Sequence, residues 1–259
     1  MRRCTDITLI LDKSDSMSNC HSSTIELVNS FIEERRKDPD ECVMSLVQFS
    51  DASGYKDMLT RTFSGLAIKD APRLSPNTYR LGGMTALYDA VGMTIDDVGK
   101  RLAGMPGAQR PDRVLIVVQT DGEENNSKKF PTGPTGQQMI MEKVNHQRDN
   151  YRWEFMFLGA DMTSEVAEQQ AQNLGIYGNN TLNYTKGSTQ RAGRVMTQAV
   201  ANYAGPLGEQ GPQGPQGPGI YALDEETKIS SELLRAEADE NLGGTAKAPP
   251  KTKKRSPKK

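Results

Sequence analysis

Residues 7–17 read Ile-Thr-Leu-Ile-Leu-Asp-Lys-Ser-Asp-Ser-Met: a short apolar run that breaks abruptly into a polar loop. Ile7–Leu11 predicts a β-strand, and Asp12, Ser14 and Ser16 follow at a spacing of two where the chain leaves it. Outward from this stretch, apolar runs alternate with segments of helical period, the pattern of a mostly parallel sheet covered by helices on both faces. Ser23-Thr24-Ile25-Glu26 reads as a capping box opening a first helix, with Ile25, Val28, Phe31 and Ile32 on its inner face and Asp38-Pro39 as its stop. Cys42–Phe49 predicts a second strand, and Leu59–Phe63 a third, placed at an antiparallel edge because only a turn at Ser50–Gly54 precedes it. A helix is expected from about Thr85, carrying Val91, Ile95, Val98 and Leu102, with Pro106 beyond its end.

Val114–Val118 is the most apolar run and predicts a central strand. After it come a helix around Ile140 and Val144, a strand Trp153–Leu158, and a helix Ser164–Leu174 stopped by Gly175. A strand Thr181–Tyr184 and a helix Ser188–Ala204 complete the order. The fold class expected is α/β: a Rossmann-like, doubly wound, mostly parallel six-stranded sheet with helices on both faces. Sites in such sheets form outside the carboxyl ends of the strands.

Three loops should meet at that edge. The first brings Asp12, Ser14 and Ser16; Gly82-Gly83-Met84-Thr85-Ala86-Leu87-Tyr88-Asp89 brings Thr85 after a glycine pair; Thr120-Asp121-Gly122 brings Asp121. All five candidates are hard oxygen donors, with neither thiolate nor imidazole among them. Such a set suits magnesium, manganese or calcium rather than zinc.

These three motifs resemble the metal-ion-dependent adhesion site of the von Willebrand factor A family, and the resemblance covers about four-fifths of the chain. It implies that Ser14, Ser16 and Thr85 bind an ion directly or through water and that Asp12 and Asp121 complete the inner or outer shell. An open position would then take a partner's Asp or Glu. Lys13 and Asp15 fall at variable positions. The chain is more similar to the intracellular, stand-alone members of bacteria and bacteriophages than to the secreted adhesion proteins. The implied function is a non-enzymatic, cation-dependent protein-binding module, an adaptor or assembly factor, with Mg2+ or Mn2+ first and Ca2+ as a further candidate.

Other chemistries lack their residues. A phosphotransferase of the haloacid dehalogenase type needs a second Asp where Ser14 stands, no phosphate-binding Gly-x4-Gly-Lys loop exists, and a serine hydrolase needs a nucleophile elbow and a histidine. The histidines are His21 and His146; the first follows the metal loop with nothing to orient it, and the second falls on a polar helix. Glu123 and Glu124 read as a solvated loop, and the alternation of Trp153, Phe155 and Phe157 as strand packing. A metal-dependent hydrolase is the weakest alternative, for want of a general base.

The domain is expected to occupy residues 1–203, with no core contribution from residues 204–259. Residues 204–219 form a Gly-X-Y stretch with glycine at 205, 208, 211, 214 and 217, and proline at 206, 212, 215 and 218. Only glycine fits the axis of a collagen triple helix, so this period has a physical meaning; it reads first as an extended linker of a monomer, and alternatively as a collagen-like segment trimerising a virion or assembly component. Residues 220–259 are expected to be weakly helical around Ile229, Leu233 and Leu234, then a disordered basic tail.

Charge divides along the same lines. Thr245–Lys259 carries seven Lys/Arg and no Asp/Glu, leaving 25 basic against 33 acidic residues elsewhere, a net charge of −8. An acidic body confines any weak, non-specific nucleic-acid contact to the tail. Cys4, Cys20 and Cys42 show no metal-type pairing, the first apolar run is too short for a signal-peptide core, and no stretch is long enough to span a bilayer. A cytoplasmic or virion-associated protein with no membrane contact is expected.

Overall fold

In a computed structural model, residues 4–37, 41–51, 58–177, 180–204 and 225–243 are described. Strands β1 (Cys4–Asp12), β2 (Glu41–Phe49), β3 (Leu59–Ala67), β4 (Arg113–Thr120), β5 (Glu154–Ala160) and β6 (Thr181–Tyr184) form one sheet in the order β3-β2-β1-β4-β5-β6. All neighbours are parallel except β2 and β3, which pair antiparallel at one edge. The expected doubly wound sheet and its antiparallel edge strand are both present. The chain reverses its winding between β1 and β4, so the loops leaving those strands diverge there and open a crevice at the carboxyl edge.

Alternation along β1 assigns its two faces. Ile7, Leu9 and Leu11 join one core with Leu27, Val28, Phe31 and Ile32 of α1 (His21–Arg36) and Val195, Met196 and Val200 of α5 (Thr189–Ala204). Ile10 faces the other core, with Val91, Ile95 and Val98 of α2 (Leu87–Ala103) and Ile140 and Val144 of α3 (Pro134–Tyr151). Val114–Val118 is buried throughout, as a central parallel strand covered on both sides must be. Trp153, Phe155 and Phe157 pack into the α2–α3 core, in keeping with their alternation.

Several boundaries differ from the sequence reading. The first helix begins at His21, so Ser23 lies inside it; its hydroxyl donates back to the Cys20 carbonyl at 2.9 Å rather than capping. Helix α2 begins at Leu87, two residues after Thr85, which leaves Thr85 in the preceding loop. Helix α4 (Ser164–Asn173) ends one residue short of the expected Leu174, and Gly175 stops it as expected, in the left-handed conformation at φ 76°.

The largest departure lies downstream. Residues 225–242 are not weakly helical but form α6 (Glu225–Leu242), packed against β6, α5 and α4. Leu234 and Ala238 are fully buried. Arg235 donates to the Thr181 carbonyl on edge strand β6 at 2.8 Å, and Asp239 accepts the Ser164 amide at the start of α4 at 2.6 Å. Arg191 and Glu237 pair across α5 and α6. Ile229 is helical, and Leu233 is partly exposed beside buried Leu234. The Gly-X-Y stretch and the basic tail lie outside the described residues. No helix among the described residues is long and apolar enough to cross a membrane.

Candidate metal centre at the carboxyl edge of the sheet

Where β1 ends, Asp12 is completely buried. Its Oδ1 accepts the Ser14 amide at 2.8 Å, curling the chain back at once, and its Oδ2 accepts the Thr120 hydroxyl at 2.6 Å from the end of β4. The Tyr79 hydroxyl donates to its main-chain carbonyl. Asp12 therefore joins the two central strands at the point where the winding reverses.

The remaining candidates form a line of oxygens beside it. Ser14 Oγ and Ser16 Oγ lie 3.0 Å apart, and Ser16 Oγ donates to Asp121 Oδ1 at 2.8 Å. Thr85 comes from the third loop, and Gly122 shows how near it sits: a Cβ there would lie 3.6 Å from Ser16 Oγ and 4.0 Å from Thr85 Oγ1. The structure thus brings all five sequence candidates to one place. Ser14 and Thr85 are buried, Asp121 is half-buried and Ser16 is exposed, so the line runs from the interior to the surface.

Loop-to-loop hydrogen bonds hold this arrangement. The Asp15 amide donates to the Gly83 carbonyl at 3.0 Å, and the Gly83 amide returns to Asp15 Oδ2 at 3.2 Å. Gly83 has φ 87°, a left-handed conformation that a side chain would strain. Asp15, at a variable position in the motif, is thus the clamp on the glycine loop. Thr85 is fixed from the other side: its amide donates to Asn125 Oδ1 at 2.9 Å, and its carbonyl accepts the amides of Asn125 and Asn126 at 3.0 and 3.1 Å.

Glu124 is not a solvated loop residue. It accepts the Tyr88 amide at the start of α2 at 2.8 Å, and the Asn126 and Ser127 amides at 2.9 and 2.7 Å. A carboxylate there satisfies an otherwise orphaned N-terminal N–H and complements the helix dipole. Asp89, also fully buried, accepts the amides of Lys128, Lys129 and Phe130 at 2.7, 3.2 and 2.7 Å. Both residues shape the loop that carries Asp121, a role their sequence context alone did not reveal. The run Glu-Asn-Asn-Ser at 124–127, rich in turn-forming side chains, is the one local signal of such a loop.

His21 is oriented after all, but not toward the oxygens. Its Nε2–H donates to the Tyr79 carbonyl at 2.8 Å and its ring stacks on the Tyr79 ring, with centroids 5.3 Å apart. It buttresses the tyrosine that holds the Asp12 carbonyl. His146 lies on α3, bonded to Asn150.

Electrostatics distinguish this edge from an ordinary turn. Burial pushes the Asp12 carboxyl up to about 6, against the opposing hydrogen bonds from Thr120 and Ser14, with the Asp121 charge adding to the rise. Burial also raises Asp121, with the Ser16 hydrogen bond acting the other way. Two carboxylates are thus disfavoured as bare anions among neutral hydroxyls, an arrangement that a cation would relieve. Among the described residues no three His, Cys, Asp or Glu side chains are placed to hold a metal ion by themselves, so an ion at this edge would rest largely on the serine and threonine hydroxyls. The donor chemistry fits a hard divalent ion.

The sequence model of the von Willebrand factor type A domain matches residues 6–198. Comparison with curated proteins gives no match. Among solved structures, the pilus adhesin SpaC from Lactobacillus rhamnosus GG in its open conformation is similar at a TM-score of 0.57 and 14% identity, over 78% of this chain and 30% of that one. Proximal thread matrix protein 1 from the mussel byssus aligns at a TM-score of 0.47 and 16% identity, over 78% of this chain and 46% of that one. This chain therefore spans less than half the length of these structures, and at such identities the likeness concerns the fold. With the family match covering the sheet and all three loops of its carboxyl edge, the chain belongs to the von Willebrand factor type A domain family.

Proposed function

We propose that this protein is a non-enzymatic, divalent-cation-dependent protein-binding module, an adaptor or assembly factor, acting through a complete metal-ion-dependent adhesion site. The observation that carries the reading is the unbroken line of oxygens from buried Ser14 through Ser16 to Asp121, beside buried Asp12 and next to Thr85. Asp12, Ser14, Ser16, Thr85 and Asp121 would hold Mg2+ or Mn2+, with Ca2+ a looser fit because of its longer bonds and higher coordination number. When bound, such an ion supplies a positive charge with an exchangeable coordination position for the Asp or Glu of a partner.

The protein's own residues prepare that contact. Thr120 and the Ser14 amide orient Asp12; Asp15 and Gly83 hold the glycine loop in register; Asn125 fixes Thr85. Met84, half exposed beside Thr85, offers an apolar surface at the rim. A binding role is supported by the engagement of two nearby groups that could otherwise move protons: His21 is bonded to Tyr79, and Glu124 to backbone amides. No disulfide joins the three cysteines, in keeping with a cytoplasmic setting.

Calorimetry with MgCl2 and MnCl2 tests the metal assignment. One ion should bind the full chain, and Asp12→Ala should abolish binding while the circular dichroism spectrum is retained. Unchanged affinity in that variant would remove the five-residue site. Pull-downs from the native host in magnesium, calcium and chelator test the partner: capture should vanish in chelator and with Thr85→Ala, and capture that survives both places the interface elsewhere.

A further inference from the structure

Four carboxylates beyond the two metal aspartates surround the centre: Asp15, Asp51, Glu123 and Asp161. Asp15 lies between Ser14 and Ser16 and stays exposed, although its Oδ2 accepts the Gly83 amide. Asp51, just after β2, accepts the Met84 amide at 2.5 Å, one residue before Thr85. Glu123 is exposed two residues after Asp121. Asp161, where β5 ends, accepts the Cys20 thiol at 3.3 Å. Burial raises that thiol, and the charges of Asp161, Asp121 and Asp12 raise it further, so the three carboxylates gather around one point.

Carboxylates elsewhere on the domain are matched by cations. Asp6 pairs with Arg101, Asp97 with Arg61, and Asp96 with Lys129 and Lys143. Among the described residues, none of the four around the metal centre has a Lys or Arg within ion-pair distance. The cations nearest in the chain are turned to other groups. Lys13 Nζ donates to Thr60 on β3 at 3.4 Å, Arg80 Nε to the Asn77 carbonyl at 3.1 Å, and Lys129 to Asp96 at 3.2 Å. Lys128 follows on the Asp89 side of its loop.

This charge has no counterpart once an ion is in place. Asp12 and Asp121 match a divalent cation, so the rim keeps its own negative potential. An acidic segment offering Asp or Glu to the ion would be repelled as it approached, because like charges brought together across an interface weaken binding and opposite charges steer it. The carboxylate that suits this rim is one with cationic neighbours.

We infer, on the reading of the metal centre given above, that the Asp or Glu presented to the ion lies in a basic segment of the partner, with Lys or Arg within a few residues on either side to meet Asp15, Glu123 and Asp161. The acid supplies the bond to the metal. Its basic neighbours supply the selection among the many acidic side chains that protein surfaces expose.

Short blocked peptides, titrated in MgCl2 into the full isotope-labelled chain and followed at the Gly83 and Asn125 amides, provide the test. Lys-Ser-Glu-Ser-Lys should bind more tightly than Gln-Ser-Glu-Ser-Gln, and that more tightly than Glu-Ser-Glu-Ser-Glu, with a span of at least about fivefold between the extremes. The span should close as salt rises from about 0.1 M to about 1 M, where the Debye length falls from about 10 Å to about 3 Å. Glu123→Lys should narrow it, and comparing peptides within that variant cancels any change in metal affinity. Asp161→Asn, whose side chain tolerates the left-handed backbone at φ 48°, should do the same from the other side. Lys-Ser-Gln-Ser-Lys should lose most of the affinity, and chelator should abolish the shifts. Equal magnesium-dependent binding by all the Glu peptides would overturn the basic segment and leave the adhesion-site reading standing. Binding of Lys-Ser-Gln-Ser-Lys as tight as that of its Glu counterpart would overturn it as well, as plain attraction of a polycation. No saturable shift with any peptide, in a chain that calorimetry shows to bind magnesium, would remove the partner carboxylate and this inference with it.

Discussion

The Thr120 hydroxyl donates a 2.6 Å hydrogen bond to Oδ2 of Asp12, linking the ends of β4 and β1 inside the protein. Thr120 is not among the five proposed ligands, yet it sets which way the Asp12 carboxylate faces. Hydrogen bonds of this kind around metal ligands are worth about 10–100-fold in metal affinity. Thr120→Val keeps the shape of the side chain and removes the donor. It should weaken magnesium binding by about that factor in calorimetry, with little change in the far-ultraviolet circular dichroism spectrum. Wild-type affinity in this variant would mean that Asp12 is oriented by the Ser14 amide alone.

Asp89 offers a test of the loop rather than the ligands. Its carboxylate accepts three backbone amides, and no water reaches it to replace a lost acceptor. In Asp89→Asn the amide NH2 would face one of those N–H groups, leaving donor against donor. Urea unfolding should show a loss of about 2–3 kcal/mol, the range for hydrogen bonds to a charged group in a buried setting. Metal affinity should fall as well, because the same loop carries Asp121 and, through Asn125, fixes Thr85.

Helix α6 makes a prediction opposite to the one the sequence suggested. A chain ending at Ala204 should still fold, since all six strands remain, but it exposes the side of β6 that Arg235, Leu234 and Ala238 cover. Leu234→Ala alone should cost about 2–3 kcal/mol, toward the lower end for a buried leucine because the helix can partly settle into the gap. In thermal melts both changes should lower Tm by several degrees, the truncation more than the point substitution. An unchanged Tm after truncation would show that α6 does not contribute to the stability of the sheet.

Stability should depend on pH through Glu154 at the start of β5. Burial pushes its carboxyl from 4.5 up to about 7, only partly offset by Arg148 and by the Asn180 side chain. The folded state therefore holds this proton more tightly than the unfolded chain does. Its stabilising contribution is fully present below pH 4.5 and is lost as pH rises through about 7. Glu154→Gln mimics the protonated form, so the difference in stability between variant and wild type should grow in the variant's favour across that window. A constant difference from pH 4 to 8 would refute the shift.

Much of this protein is legible without coordinates, for reasons that lie in the chain itself. A central parallel strand is buried on both faces, so Val114–Val118 must be apolar at every position and stands out as an uninterrupted run. The oxygen donors are equally visible, because each sits within a few residues of a strand or helix end and the alternation of elements points to a parallel sheet whose carboxyl edge gathers them. Asp12, Ser14, Ser16, Thr85 and Asp121 could accordingly be named and found together. What only the tertiary structure decided depends on partners far away in sequence. Glu124 and Asp89 look like ordinary acidic residues until the amides that they accept come into place, and Leu233 and Leu234 cannot be ranked until β6 and α5 show which of them is covered. Local periodicity encodes which side of an element is buried, whereas the identity of what buries it is a property of the assembled fold.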